Sequence, residues 1–341
     1  MSQDNKGVVS IDRRYNLDSL KGVSIYFVVV LHLLSIVNVD KNVITDGIIL
    51  NVSRFAVPCF FMVSGYLSGQ KIIDFGSRSA VIRLMYIFLF WNLFYLLIPM
   101  NFEKISVYGF FKVKYWDFYQ IVSDPVKVCF QGFYGHLWFL ESLAWAFLFL
   151  SATSKISFKL GFIISCIAYM ISVLAGGYAN TEIGINLPFT SRNGPFVSTF
   201  FVMLGYYASK RDIRPDFYLS LFLLFLGLFI QFAEYFYLRE NYHIAVQYEF
   251  LFGTPFFSLG VFLLFLGLEN KKNLIALLGR FSLGIYVLHV IFADYVATAI
   301  RTFHFDLDYV LFIPVSIFVY CMSLVFTKLL MLNNKLKRFI A

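Results

Sequence analysis

Long apolar runs alternate with short polar connections along almost the whole chain. A bilayer-spanning helix needs about 20 mostly apolar residues, and ten runs of suitable length occur in this sequence. The predicted spans are Leu20–Val39, Ile48–Leu67, Val81–Pro99, Phe133–Ser151, Leu160–Gly176, Pro195–Ser209, Phe217–Leu238, Phe250–Leu268, Phe281–Ile300 and Val310–Leu330. The pattern predicts an all-α, polytopic transmembrane bundle of about ten helices, forming one integral membrane domain over residues 1–341.

Positive charge is shared unevenly between the polar connections. If the N-terminus lies inside, nineteen of the 28 lysines and arginines fall on the inner side and eight on the outer side, while Arg54 lies within a span. Cytoplasmic loops are enriched in Lys and Arg, so residues 1–16 and 331–341 are both predicted to be cytoplasmic. The first apolar run follows a basic stretch, as in a signal peptide, but no small-residue cleavage site follows, so it is predicted to remain as the first span.

Composition agrees with the membrane assignment. The chain is 60% hydrophobic and 14% charged, whereas ordinary soluble domains are about 25% charged. Its net charge of +8 is dispersed between apolar runs, which favours a role in topology over nucleic-acid binding. The four cysteines lie in or beside apolar stretches without metal-type spacing. They are interpreted as core residues, and no metal is expected.

The first span carries a charged and polar stripe. In a helix, Lys21 and His32 lie within roughly 20° of one face and roughly 16 Å apart along the axis, with Asp18 on nearly the same stripe. Charged groups within a membrane are costly and mark candidate functional sites. A histidine can take and return protons at neutral pH, so His32 is a candidate general base for a hydroxyl group. Alternatively, Lys21 anchors the topology and His32 packs as a neutral side chain.

Further polar residues lie on the second span and just after it. Arg54 needs an acceptor or a water-filled cavity within the membrane. Ser64 and Gly65 form either a functional pair or a close-packing pair. Arg78 and Arg83 are able to neutralise a phosphorylated ligand, although topological anchoring would also explain them.

The fourth and ninth spans also open with polar side chains. His136, Trp138 and Glu141 lie together on the predicted external side, where Trp138 would equally serve as an interfacial anchor. The ninth span carries three hydrogen-bonding residues, four and then three positions apart: Ser282, Tyr286 and His289. They share one helical face, which forms either part of a site or a buried structural network.

Four motifs follow one another along the chain. They are Leu-Asp-Ser-Leu-Lys-Gly at 17–22 with His32 downstream, Phe-Phe-Met-Val-Ser-Gly-Tyr at 60–66, His-Leu-Trp-Phe-Leu at 136–140 and Ser-Leu-Gly-Ile-Tyr-Val-Leu-His at 282–289. In this order, and with about ten spans, the chain resembles the family 3 membrane acyltransferases over nearly its whole length. The resemblance implies transfer of an acyl group, most often acetyl from cytoplasmic acetyl-coenzyme A, to a hydroxyl of a surface glycan or its lipid-linked precursor.

The resemblance implies roles for Lys21 with His32, for the motif Ser64–Tyr66, and for Arg78 with Arg83. The other roles are expected from the polar residues described above. The expected catalytic residues are His32, Lys21, Asp18 and Ser64. The expected acyl-coenzyme A contacts are Lys21, Ser64, Gly65, Tyr66, Arg78 and Arg83, and the expected acceptor contacts are Arg54, His136, Trp138, Glu141, Tyr286 and His289. Lysine stands at position 21 where the family more often has arginine, which keeps the charge but loses the bidentate fork.

By the same likeness, the chain lacks the extra periplasmic hydrolase-like domain of some members. That favours the stand-alone O-antigen or exopolysaccharide O-acetyltransferase type, in a bacterial cytoplasmic membrane. Two alternatives remain open at this point: a transporter or flippase for a polyprenyl-linked sugar, and a non-catalytic subunit of a polysaccharide synthase. The sequence also leaves open succinyl or another short acyl group, the acceptor sugar and the oligomeric state.

Overall fold

The computed structural model describes residues 13–37, 43–100, 102–243, 250–305 and 307–340. Its helices are α1 (Tyr15–Ile36), α2 (Val43–Ser53), α3 (Ala56–Phe75), α4 (Arg78–Leu97), α5 (Phe102–Tyr108), α6 (Phe110–Ser123), α7 (Pro125–Gln131), α8 (Trp138–Ile156), α9 (Phe158–Leu174), α10 (Pro195–Lys210), α11 (Phe217–Tyr242), α12 (Thr254–Gly267), α13 (Leu274–Gly279), α14 (Ser282–Thr302), α15 (Tyr309–Met331) and α16 (Asn334–Lys337). A 3₁₀ turn at Gly135–Leu137 precedes α8. No strand occurs in this described part of the chain, so the all-α prediction is confirmed. Most of the predicted N-terminal segment, 1–12, lies outside the described residues, as do the last two positions of the first predicted span and residue 341.

Within the residues that the structure describes, seven helical stretches are long and apolar enough to cross a bilayer. They are Tyr15–Ile36, Ile44–Phe75, Arg78–Leu97, Gly135–Ile156, Phe217–Tyr242, Ser282–Thr302 and Tyr309–Met331. Each coincides with a predicted span, so the polytopic helical bundle is confirmed. The second stretch is longer than predicted and is interrupted by a turn at Arg54 and Phe55. Arg54 therefore lies at a break between α2 and α3 rather than inside a continuous helix.

The other three predicted spans are shorter helices. Helix α9 has 17 residues, α10 has 16 and α12 has 14. At 1.5 Å per residue these helices reach about 21–26 Å, which is less than the ~30 Å of a typical hydrocarbon core. Their positions agree with the predicted spans, but the count of ten is not confirmed.

In the described part of the chain, two clusters of buried apolar side chains form the core. One joins α3 with α8 to α12, and the other joins α4, α14 and α15. Helix α1 belongs to both, because Leu20 packs in the first cluster and Leu33 in the second. Val57 and Phe139 also pack against both clusters. The seam between the clusters therefore follows α1, the helix of the charged stripe.

Glycines bring the beginning of α1 against α13. A Cβ atom at Gly279 would overlap the carbonyl oxygen of Asp18, and one at Gly22 would overlap the carbonyl oxygen of Ile275. Small residues permit such close approach of helices. The close approach fixes the Asp18 end of α1 relative to the start of α14.

Residues outside the long helices cover the bundle. The predicted external connection, 101–132, folds into α5, α6 and α7, which are too short to cross a bilayer. Lys114 ties α6 to α4, since its Nζ donates to the Tyr95 carbonyl oxygen at 3.3 Å. The C-terminal segment also packs on α4, where the Phe339 ring lies 4.0 Å from the ring of Phe90.

The cysteine prediction is correct at one position and wrong at two. Cys59 is buried, but Cys129 and Cys321 are exposed and Cys166 is half-buried. An apolar stretch of a membrane helix includes positions that face outward from the bundle, so hydropathy alone does not identify core positions.

Candidate functional site

The charged stripe of α1 begins with a group of three paired charges. Asp18 is buried, and its two carboxylate oxygens contact different cations. Oδ1 lies 2.5 Å from Lys21 Nζ, and Oδ2 lies 2.6 Å from Arg13 Nε. Because one carboxylate lies between two cations, the group of Arg13, Asp18 and Lys21 keeps a net positive charge.

A cavity of about 290 Å³ connects Lys21 with His32, and we call it the Lys21 cavity. Its polar lining consists of Lys21, His32, Ser64, Ser68, Arg83, His136, Ser282 and Tyr286. Phe60, Leu84 and Phe147 are part of its apolar wall. Because eleven residues of α1 separate Lys21 from His32, the cavity follows about 16 Å of the helix axis. A basic mouth thus leads along an apolar wall to a histidine.

A second cavity, also of about 290 Å³, approaches His32 from the other end of the bundle. We call it the Arg54 cavity, and its polar and aromatic lining consists of His32, Arg54, Tyr134, His136, Trp138, Arg192 and Phe250. The Arg192 guanidinium lies 5.8 Å from the centre of the Trp138 ring. Tyr134 contributes a phenol hydroxyl, which can donate and accept hydrogen bonds. The cavity therefore combines two guanidinium groups with aromatic faces.

The two cavities meet at His32. Five residues line both of them: Val28, His32, Val57, His136 and Trp138. The His32 ring is half-buried, and no side chain in the described part of the chain hydrogen-bonds to it. A group approaching from either end of the bundle can therefore reach the same imidazole.

Three histidines from three separate segments lie together at this junction. The ring centres of His32 and His289 are 5.0 Å apart, those of His136 and His289 are 5.9 Å apart, and those of His32 and His136 are 6.3 Å apart. Among the described residues, no group of three or more His, Cys, Asp or Glu side chains is placed to hold a metal ion. We therefore consider this cluster for proton transfer and hydrogen bonding.

Two tyrosines fix the segment that carries His136. The hydroxyl of Tyr286 donates to the His136 carbonyl oxygen. The hydroxyl of Tyr95 donates to the Val287 carbonyl oxygen at 2.8 Å, and its ring lies 4.9 Å from the His136 ring. The 3₁₀ turn before α8 is thereby held against α4 and α14.

The three motif residues at the end of the second span face different neighbours. Ser64 lines the Lys21 cavity, and its hydroxyl donates to the Phe60 carbonyl oxygen at 2.8 Å. A Cβ atom on Gly65 would overlap the backbone of Val202 in α10. The Tyr66 ring lies 6.1 Å from the ring of Phe262 in α12 and does not line the cavity. Of these three residues, Ser64 is therefore the one that lines the cavity.

The two arginines after this motif also point in different directions. Arg83 lines the Lys21 cavity, whereas Arg78 is exposed at the beginning of α4 and is not part of the cavity lining. Five residues of α-helix correspond to a rotation of about 140°, which places the two side chains on different faces. The structure places Arg83 in the lining of the same cavity as Lys21 and leaves Arg78 outside that lining.

Two expected acceptor contacts lie behind the cavities. Glu141 is buried one turn into α8, where the Ser142 hydroxyl lies 3.4 Å from Oε2 and the backbone of Gly194 also hydrogen-bonds to the carboxylate. His289 is fully buried on α14 behind His32. Neither residue lines either cavity, so the structure does not place them as direct acceptor contacts.

Sequence reasoning missed several residues near the site. Arg192 and Phe250 line the Arg54 cavity. Arg192 comes from a connection outside the predicted spans, and Phe250 is the first residue of the eighth predicted span, four positions before α12 begins. Glu234 is buried in α11, where it accepts hydrogen bonds from the backbone of Phe252 at 2.9 Å and Gly253 at 2.8 Å. A carboxylate within a predicted span was the available signal for Glu234. Its hydrogen bonds hold the segment that presents Phe250.

Comparison with known proteins gives one assignment. A family model described as an acyltransferase domain, of acyltransferase family 3, matches residues 14–332. No curated protein and no solved structure matches the chain. The matched region contains both cavities and all three clustered histidines.

Proposed function

The chain belongs to acyltransferase family 3, and from this premise we propose that it is a membrane O-acyltransferase using an acyl-coenzyme A. In this proposal acetyl passes from acetyl-coenzyme A to a sugar hydroxyl of a surface polysaccharide or its lipid-linked precursor. The observation that carries the proposal is the meeting of two cavities at one half-buried histidine, His32. Two substrates that approach from opposite ends of the bundle can react there without passing each other.

The Lys21 cavity suits the acyl donor. Coenzyme A combines phosphates with a long, largely apolar arm, and this cavity is lined by the half-buried Lys21, the exposed Arg83 and an apolar wall. Charge-assisted hydrogen bonds to phosphate oxygens are stronger than those between neutral groups. An arm following the cavity for about 16 Å would bring the thioester beside His32. Ser64, on the same wall, is placed to position the arm.

The Arg54 cavity suits the acceptor. Trp138 and Tyr134 offer aromatic faces against which a sugar ring can lie, while the guanidinium groups of Arg54 and Arg192 donate hydrogen bonds. A phosphate of a lipid-linked precursor would also be attracted to these two cations. His136, which lines both cavities, would contact the reacting end of the acceptor.

In the proposed reaction, His32 acts as general base. The imidazole takes the proton from the sugar hydroxyl as that oxygen attacks the thioester carbonyl carbon. The carbon–sulfur bond then breaks, and the imidazolium returns the proton to the leaving coenzyme A thiolate, so that an ester and a free thiol are formed. A positioned base contributes about 10²–10⁴-fold to such a step. The reaction needs no metal.

The direction of the reaction follows from the predicted topology. The excess of Lys and Arg on the Lys21 side favours the cytoplasm for that end of the bundle. Acetyl-coenzyme A would then enter from the cytoplasm, and the acceptor would be modified from the external face of a bacterial cytoplasmic membrane.

The test is loss of acyl transfer in His32→Ala, with His243→Ala as a matched control at an exposed histidine. Both variants are purified in nanodiscs, and their amounts and thermal midpoints are compared with those of the natural protein. Transfer is measured as label from acetyl-coenzyme A recovered in ester linkage on polysaccharide from the host cell. His32→Ala should lose at least about 10²-fold in rate, and His243→Ala should be unchanged. Retained transfer in His32→Ala would reject the assignment of the base.

The same assay separates the alternative functions. A flippase or a synthase subunit would show no ester formation that depends on acyl-coenzyme A. Membership of an acyltransferase family favours neither of them. Substitution of succinyl-coenzyme A for acetyl-coenzyme A tests the identity of the acyl group.

A further inference from the structure

His289 is held in one tautomer by its own helix. Its side chain is fully buried, and Nδ1 lies 2.7 Å from the Tyr286 carbonyl oxygen and 3.2 Å from that of Ile285. A carbonyl oxygen can only accept a hydrogen bond, so Nδ1 carries a proton. In the neutral ring this arrangement leaves a lone pair on Nε2.

The lone pair of His289 lies beside the proposed base. Nε2 is buried and has no hydrogen-bond partner in the described part of the chain. A buried acceptor that lacks a partner calls for an explanation, since most buried polar atoms are paired. The ring centre of His32 is 5.0 Å away, with the two ring planes inclined by 57°. In the neutral His32 ring one nitrogen carries a proton, and a small rotation of this half-buried ring would bring that N–H within hydrogen-bond distance of His289 Nε2.

We propose that His289 is a positioning residue for His32, with its Nε2 lone pair accepting a hydrogen bond from the His32 N–H that faces away from the substrates. This inference rests on the proposed function, because it gives His32 the task of taking a proton from the acceptor. The other His32 nitrogen then carries the reactive lone pair towards the meeting point of the cavities. When that nitrogen is protonated, the contact stabilises the resulting imidazolium.

The surroundings favour His289 over other partners of His32. The His136 ring is more distant, at 6.3 Å, and it lines both cavities, where it faces the substrates. Arg54 and Arg192, in the Arg54 cavity, are cations and cannot accept a hydrogen bond. No carboxylate of a described residue hydrogen-bonds to the His32 ring. A neutral imidazole at His289 can orient His32 without placing an anion inside the bundle. A buried carboxylate in the same role would have a high desolvation cost.

The experiment compares His289→Gln with His289→Leu in the full chain in nanodiscs. Glutamine keeps an acceptor oxygen near the place of Nε2, whereas leucine fills similar space without one. Rates are measured over ranges of acetyl-coenzyme A and acceptor, in the natural and the His32→Ala backgrounds. Separately, ¹⁵N spectra of protein labelled in its histidine side chains report the tautomer of each ring. Thermal midpoints show whether each variant is folded.

The expected result has three parts. His289→Leu lowers kcat by about 10–100-fold, by analogy with the loss when the hydrogen-bond partners of metal-binding histidines are removed, while both KM values stay the same. His289→Gln retains most of kcat, and neither substitution lowers the rate further in the His32→Ala background. The spectra show the Nδ1–H form at His289 and a shift of the His32 nitrogens in His289→Leu that is absent in His289→Gln.

Several results would overturn the proposal. They are an Nε2–H form at His289, His32 signals that are identical in all variants, or equal losses of kcat in folded His289→Gln and His289→Leu. A change in KM alone would assign His289 to substrate binding instead. If the natural protein transfers no acyl group, the proposed function fails, and the spectra still decide whether the two imidazoles are in contact.

Discussion

Gly65→Ala tests whether the motif at the end of the second span binds the donor or packs helices. Gly65 lies on the face of α3 that meets α10, and the site of its missing Cβ is 2.9 Å from the Val202 carbonyl carbon and 3.0 Å from the Val202 Cα. The overlapping atoms belong to the backbone, so no side-chain rotation can relieve them. The two helices must move apart.

The cost follows from this geometry. Ordinary contact requires the helices to separate by about 1 Å at this point, and overpacking of that kind costs about 1–3 kcal/mol of stability. Ser64 lies about 100° around the same turn, where it lines the Lys21 cavity and not the contact with Val202. We therefore expect a lower thermal midpoint with a change of less than about threefold in coenzyme A affinity, equivalent to under ~1 kcal/mol.

The assay measures both quantities on the same sample. Thermal unfolding is followed by intrinsic fluorescence in detergent, and coenzyme A affinity is measured by calorimetry on the folded protein. Gly267→Ala is the matched control, because a Cβ atom there would lie 3.6 Å from Pro215, an ordinary contact. An unchanged thermal midpoint together with a tenfold loss of coenzyme A affinity in Gly65→Ala would refute the packing role and support direct donor contact.

Two other predictions concern the Lys21 cavity and the topology. Arg83→Ala should weaken coenzyme A binding by about tenfold or more, as expected for loss of a hydrogen bond to a charged group. Arg78→Ala should change this affinity less than about twofold, because Arg78 does not line the cavity. Equal losses of affinity in the two variants, measured by calorimetry, would reject this distinction. The exposed Cys129, kept as the sole cysteine, should react with a membrane-impermeant maleimide on intact cells. A cysteine placed by Lys272→Cys should react after permeabilisation only, and the reverse pattern would invert the assigned orientation.

The long helices could be predicted from hydropathy because a bilayer imposes one length and one polarity on every span. The break at Arg54 was harder to foresee. Pro58 was the available signal, since proline is tolerated in the first turn of a helix and disrupts its interior. In the structure Pro58 is the third residue of α3. Hydropathy averaged over a window of 19 residues does not register such a local break.

The candidate site could be predicted only along single helices. Helical periodicity places Lys21 and His32 on one face of α1, and both line the same cavity. The same periodicity separates Arg78 from Arg83. Periodicity carries no information about which helices are in contact. The position of His289 beside His32 and the presence of Arg192 in the Arg54 cavity could therefore be seen only in the tertiary structure.

The pairing of Asp18 gives a physical reason why lysine can serve at position 21. Arginine recognises phosphate through a rigid fork, whereas lysine acts as a compact charge with three rotatable donors. Asp18 lies 2.5 Å from Lys21 Nζ and is itself held by Arg13 at 2.6 Å. One donor is therefore directed to the carboxylate, and two can be directed into the cavity. A net positive charge remains on the three-residue group, so in the proposed function the fixed ammonium would attract a donor phosphate even without the fork.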